Sequence, residues 1–322
     1  MEWQRRAGRQ DLPWQGSRDP YRIWLSEVML QQTQVAAVIP YYERFLGRFP
    51  TIETLARADE EEVLRLWSGL GYYARGRNLH LAAQRIVSRY QGKFPQTSAA
   101  LQELPGLGRS TAAAIAAFAF GERAAILDGN VKRVLARYCG IAGFPGDKKV
   151  EKKLWGFSEK FLPGKDIAIY TQALMDLGAT VCVRANPRCD ACPVRKTCVA
   201  RKKGLTAKIP APRPKKALPW KEATWWLMRH NGEVLLERRP SAGLWGGLWT
   251  FPESRPRGIE VTSRSELATL EHGFTHFKLR IRPVLCEVGR VRKAGPGMWI
   301  DLDEAKGAAV PTPVRTLLER IR

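Results

Sequence analysis

At 322 residues the chain has room for two domains, each with its own core. Its 44% hydrophobic content excludes a disordered chain, and its longest apolar stretch, nine residues from Ala112 to Phe120, falls far short of the roughly 20 that cross a bilayer. A formal net charge of +22 makes nucleic acid the leading partner class and leaves a membrane surface without a supporting segment. The opening MEWQRRAGRQ has no apolar signal-peptide core, so a cytoplasmic protein with reduced cysteines is expected.

Leu12-Pro13-Trp14 stands in an aromatic-bearing loop, and Asp19-Pro20 then starts a helix that continues through Gln32. Ile23, Trp24, Val28, Gln31 and Val35 recur at helical spacing, with Glu27 beside that stripe. Two readings of Glu27 stand together: a flank carboxylate reaching water, or a buried acid whose raised pKa keeps its proton. Further helical patterns fall near 51–67, 76–90 and 97–103. The connector Ser68-Gly69-Leu70-Gly71-Tyr72-Tyr73 sets two glycines beside two tyrosines, which either stack on bases or pack on a neighbouring helix.

Residues 104–130 organise the chain. Leu104-Pro105-Gly106-Leu107-Gly108 reads as a tight turn, with Gly106 and Gly108 permitting angles and close approaches that a Cβ blocks. Arg109, Ser110 and Thr111 lead into an Ala-rich helix. Such a turn presents backbone N–H groups to phosphate, and is equally a plain helix–helix connection. Asp128 precedes Gly129-Asn130-Val131 as the N-cap of a following helix.

Cys182, Cys189, Cys192 and Cys198 have the spacing C-x6-C-x2-C-x5-C. In a reducing compartment four such thiols suit zinc or an iron–sulfur cluster, and one tight knuckle rather than two leans toward the cluster. Arg184, Arg188, Arg195 and Lys196 make this loop cationic, while Cys139 and Cys286 sit in apolar contexts as buried free thiols. Residues 201–219 hold seven Lys or Arg, four Pro and no acid, and form an extended tether. No strand-like alternation precedes about residue 220, so the first two-thirds are all-α. Beyond it, Ala223–Met228 and Glu233–Glu237 flank the hairpin signal Asn231-Gly232, Gly243–Pro252 is a Gly/Trp-rich loop and strand, and His272–Phe277 leads into a strand over 278–284.

These residues together resemble the adenine DNA glycosylase family from end to end. The resemblance rests on Leu12-Pro13-Trp14, Ser26 to Thr33, Gly69 to Tyr73, Leu104 to Gly108, Leu127 to Val131 and the four cysteines, in that order. It implies a multi-domain architecture. Residues 1–200 would be an all-α helix-hairpin-helix glycosylase domain with a [4Fe–4S] cluster loop at 182–198; 201–219 a basic Pro-rich linker; and 220–322 an α+β Nudix-like lesion-recognition domain. No Nudix box, Gly-x5-Glu-x7-Arg-Glu, follows Phe251-Pro252, so nucleotide hydrolysis is not expected there.

By resemblance, Glu27 is the general acid at adenine N7, Asp128 supports or attacks the cationic sugar, and Asn130 orients Asp128. The roles need opposite tuning, with Glu27 protonated and Asp128 ionised. Leu12, Trp14 and Gln172 would line the adenine pocket. Leu30, Gln32 and Tyr72 would contact the opened duplex, and Gly106, Gly108, Arg109 and Ser110 its backbone. Phe274, Thr275 and His276 would read 8-oxoguanine. Endonuclease III relatives carry a lysine where Ser110 stands, so an enzyme without lyase action is implied, acting as a monomer on duplex DNA with A:8-oxoguanine or A:G mispairs. A bifunctional glycosylase/lyase and a non-catalytic iron–sulfur DNA-binding module are the alternatives.

Overall fold

The computed structural model describes residues 1–214, 217–291 and 297–321. Contacts divide the chain into two units: Met1–Ala56 with Leu81–Lys215, and Arg57–His80 with Lys216–Arg322. Residues 57–80, placed with the N-terminal domain in the sequence analysis, fall with the second unit.

The first unit is helical. It holds α1 (Glu2–Ala7), α2 (Pro20–Met29), α3 (Val35–Arg48) and α4 (Ile52–Arg57). After α5 (Glu60–Trp67), which belongs to the second unit, α6 (Ala74–Tyr90) crosses the division. α7 (Ser98–Leu101), α8 (Arg109–Phe120), α9 (Gly129–Cys139), α10 (Lys148–Lys160), α11 (Ile167–Asp176) and α12 (Val199–Lys202) complete the first unit. Asp19 starts α2 by accepting the Tyr21 N–H at 2.9 Å, with Pro20 in the first turn. The helix buries Tyr21, Ile23, Trp24, Leu25, Ser26, Val28 and Met29. It stops three residues before the expected Gln32, which takes a left-handed φ of 57°. α8 buries Ile115 and the alanines at 112–114, 116 and 117, and these small alanines let α2 pack closely against it. The pattern over 51–67 is two helices, because Asp59 accepts the Glu61 N–H at 3.1 Å and caps α5 anew. Among the described residues, no helix is long and apolar enough to cross a membrane.

The second unit is built on a seven-stranded sheet. Its strands are β1 (Trp220–His230), β2 (Glu233–Arg238), β3 (Trp249–Thr250), β4 (Ile259–Glu266), β5 (Leu270–Gly273), β6 (Lys278–Val291) and β7 (Met298–Asp301). The order is β3–β2–β1–β6–β4, with β5 also on β6 and β7 also on β2. β1 and β6 run parallel from Trp220↔Lys278 to Arg229↔Glu287. Asn231 and Gly232 have φ of 48° and 83°, the twist a two-residue hairpin needs. α13 (Leu302–Gly307) and α14 (Thr312–Arg320) close the chain. β4 lacks a sequence signal because only Ile259 in it is buried. The α5 region is held here by Trp249 Nε1, which donates to Glu61 at 2.7 Å, and by Ser68 Oγ, which donates to the Val310 carbonyl at 2.7 Å.

Candidate active site

Two cavities meet at Glu27 in the first unit. The larger, about 710 Å³, is lined by Glu27, Gln31, Ser110, Asp128, Asn130 and Arg133 among others. The smaller, about 340 Å³, is lined by Trp14, Ile23, Ser26, Glu27, Phe118 and Gln172 among others. Arg9 also lines both. Glu27 is half-buried on α2, and desolvation raises its carboxyl from 4.5 to about 8, with the charge of Asp128 adding to the rise. Among the described residues, no donor hydrogen-bonds to this carboxyl.

Asp128 is both N-cap and site residue. Its Oδ1 accepts the Val131 N–H at 2.7 Å at the start of α9. Burial raises its pKa as well, a departure from the expectation of a simply ionised aspartate. The backbone N–H groups of Val131 and Asn130, and the cations of Arg133 and Lys132, pull it back down. Two interacting carboxyls share their protons as a pair, and the one with donors and cations ionises first. Both carboxyls are raised by burial, and the N–H donors and cations lie on the Asp128 side of the pair.

Asn130 supports Asp128 through its backbone N–H. Its side-chain oxygen accepts from Arg133 Nη2 at 2.8 Å. Arg133 also donates to the carbonyls of Gly178 at 2.6 Å and Cys182 at 2.7 Å. α11 runs into a π-helical turn, Leu177–Val181, that presses Gly178 against Asn130. A Cβ on Gly178 would lie 2.6 Å from Asn130 Cβ and 3.0 Å from its backbone. Arg133 and Gly178 were missed in the sequence. Ser110 Oγ accepts the Leu127 N–H at 2.9 Å, fixing the strand of chain that delivers Asp128.

The smaller cavity has a buried ion pair behind it. Asp176, fully buried, accepts from Arg9 Nη2 at 2.7 Å and Nε at 2.8 Å, from the Arg9 N–H at 3.0 Å, and from Gln172 Nε2 at 3.0 Å. That last bond leaves the Gln172 carbonyl oxygen as the acceptor still free to meet a ligand. The signal for this network was one acid at the end of the apolar run IAIYTQALMD. Trp14 is buried edge-on to Tyr42, with ring centroids 5.3 Å apart. Leu12 does not line either cavity.

Of the hairpin glycines, Gly106 has a φ of 79°, which other residues adopt with strain. Gly108 has an ordinary φ of −83°, and a Cβ there meets no atom within 4 Å, so the free chain does not require glycine at this position. Arg109 turns away from the large cavity: it pairs with Glu159 and lies 3.9 Å over the Trp155 ring. Leu30 and Gln32 border the large cavity. In the second unit Tyr72 is 46% exposed with a φ of 49°, whereas Tyr73 is buried. The two tyrosines thus divide between surface and core.

Cys182, Cys189, Cys192 and Cys198 are free and half-buried. Burial raises Cys192, and the sulfurs of Cys182, Cys198 and Cys189 raise it further, so the four thiols share one locality. Arg137 Nη1 donates to Cys182 Sγ at 3.4 Å. Among the described residues no three Cys, His, Asp or Glu side chains stand in metal-holding geometry. Cys286 is buried as expected; Cys139 is only half-buried, its thiol pushed up to about 11 by burial and by Cys198.

In the second unit, Thr275 and His276 form the exposed tip of the β5–β6 turn, closed by the Phe274 N–H on the Phe277 carbonyl at 2.9 Å. Beneath the tip, Phe274 stacks on Phe277 with centroids 4.6 Å apart and meets Trp245 at 5.3 Å. Trp245 is buried with a left-handed φ of 54°, a strained state for an aromatic residue. It is a second missed residue type: a core anchor within what reads as a Gly/Trp-rich loop and strand.

The helical unit, its hairpin and its carboxyl pair define a base-excision DNA glycosylase scaffold. Residues 25–160 match the family model of the HhH-GPD superfamily of base excision DNA repair proteins, and residues 223–320 match that of the NUDIX domain. A thermostable thymine-DNA glycosylase aligns at a TM-score of 0.56 and 30% identity, over 63% of this chain and 93% of that one. Endonuclease III in a non-covalent DNA complex aligns at 0.51 and 25%, over 59% and 87%. The adenine DNA glycosylase of Buchnera aphidicola (subsp. Acyrthosiphon pisum) is 36% identical over 100% of this chain and 96% of its own length. That of Homo sapiens is 34% identical over 95% and 70%. The chain belongs to the adenine DNA glycosylase family.

Proposed function

We propose that the protein is a monofunctional adenine DNA glycosylase of base excision repair. It removes adenine mispaired with 8-oxoguanine or guanine in duplex DNA, acting as a monomer. The pairing of a proton-holding Glu27 with an Asp128 backed by N–H groups and cations carries this reading. Glu27 protonates the adenine ring at N7 and makes the base a better leaving group. Asp128 faces the sugar carbon and stabilises its developing positive charge. The flipped base occupies the smaller cavity beside Trp14 and Gln172, whose carbonyl oxygen accepts from the adenine amino group. Leu30, Gln32 and Tyr72 contact the opened duplex, and the turn from Gly106 through Ser110 meets its backbone. Thr275 and His276, presented by Phe274, read 8-oxoguanine.

Ser110 has no amine to form a Schiff base, and its hydroxyl is occupied by Leu127, which supports release of the base without strand cleavage. Cys182, Cys189, Cys192 and Cys198 are the donor set of a [4Fe–4S] cluster, and the locality they share with Arg137 suits one. When bound, the cluster supplies structure to a cationic loop rather than hydrolytic chemistry.

The test is a single-turnover assay on a duplex with adenine opposite 8-oxoguanine, with strands resolved before and after hot alkali. Breaks only after alkali are expected. Breaks without alkali return the protein to the bifunctional class. No breaks from a bound duplex leave a DNA-binding module.

A further inference from the structure

The root of the β5–β6 turn carries a surface that the adenine chemistry does not use. Trp220, at the start of β1, is 44% exposed. It is flanked by two cations of β6: Lys278 Nζ lies 5.0 Å and the Arg280 guanidinium 4.7 Å from its ring. One residue on, Lys221 Nζ lies 4.7 Å over Phe277, the residue that closes the turn. The parallel register places Trp220 opposite Lys278, and the Lys278 N–H donates to the Pro219 carbonyl at 2.9 Å. Arg280 and Arg282 share Glu222, and Arg280 also meets Glu271. Neither lysine pairs with a carboxylate among the described residues.

A lysine on a solvated face ordinarily spends its time in water, with rotamer entropy to lose on binding. Here aromatic rings hold two ammonium groups in place without neutralising them. Exposed indole and unpaired, pre-positioned ammonium groups suit a polyanion with regularly spaced charge. An apolar protein partner would be repelled by the lysines, and an acidic one would not need the tip residues two positions away.

We propose that Trp220, Lys221 and Lys278 form a phosphate clamp for the DNA strand that carries the base opposite the target adenine. The inference rests on the proposed function, because it takes Thr275 and His276 to be the readers of that base. The clamp anchors the strand at the root of the turn while the tip reads, so it adds sequence-independent affinity rather than discrimination.

The test uses the full chain and fluorescence anisotropy on two duplexes: one with a tetrahydrofuran abasic analogue opposite 8-oxoguanine, and one fully paired. Titrations run between about 50 and 200 mM salt. For the double variant Lys221→Gln/Lys278→Gln, the slope of log affinity against log salt should fall by about 0.9 for each lysine, on both duplexes. Lys278→Arg should keep the wild-type slope. Trp220→Leu should weaken binding to both duplexes, because the ammonium group it fixes becomes free. Single-turnover base release at saturating enzyme should stay at the wild-type rate in all of these variants. An unchanged slope in the double variant overturns the clamp and leaves a solvated face. So does a loss confined to the 8-oxoguanine duplex, which would make these residues lesion readers. A wild-type protein that binds but releases no adenine would instead defeat the proposed function and leave the salt slopes legible.

Discussion

Replacing Glu27 with Gln separates the acid from its shape. The carboxyl rises from 4.5 to about 8 chiefly through desolvation. At neutral pH the folded chain therefore holds a proton that the unfolded chain has lost. Each pKa unit is about 1.36 kcal/mol, so the rise is at most about 5 kcal/mol, and less because the cavities open onto the group. The sign follows from linkage. Below pH 4.5 both states are protonated and the cost is absent; it grows through the window from 4.5 to about 8, so stability falls as pH rises there. Glutamine carries no such cost. The variant should gain stability relative to wild type across that window, by a few kcal/mol above pH 8, in thermal denaturation scans over a pH series. Its single-turnover base release should fall by about 10²–10⁴ at neutral pH, the usual worth of a general acid. Wild-type release should decline about tenfold per unit above pH 8 as the acid is lost. A variant that releases adenine at close to the wild-type rate, or whose stability difference is flat with pH, would refute both the burial argument and the acid assignment.

Three further outcomes follow from the same site. Asp128→Asn keeps an oxygen to accept the Val131 N–H, so thermal stability should change by less than about 1 kcal/mol while base release is lost in the single-turnover assay. Gly178→Ala should drive Asn130 and the cap of α9 out of place; base release should drop at least tenfold, with duplex affinity by anisotropy nearly unchanged. Ser110→Ala removes the acceptor for the Leu127 N–H and should cost about 1 kcal/mol in denaturant melts, with no gain of strand cleavage before alkali.

Local chemistry was legible in the chain itself. Asp19-Pro20 and Asp128-Gly129 announced the starts of α2 and α9, and Asn231-Gly232 announced the β1–β2 hairpin, because caps and two-residue turns are satisfied within a few residues. An acid beside an apolar stripe singled out Glu27, which lines both cavities. What failed locally had a local competitor: Asp59 cut the 51–67 pattern in two, and the left-handed Gln32 ended α2 early.

The sequence alone thus determined where caps and turns fall, and what scaffold would carry them. Tertiary structure decided what those residues face. Only folding sets Asp176 of α11 behind Arg9 of the N-terminal arm, 167 residues apart, and so fixes which way Gln172 points. Only folding presses Gly178 on Asn130, turns Arg109 to Glu159, and joins residues 57–80 to the C-terminal unit. Desolvation and long-range pairing depend on atoms brought together from distant parts of the chain. Local pattern carries no record of them, and they are what raises the carboxyls of Glu27 and Asp128.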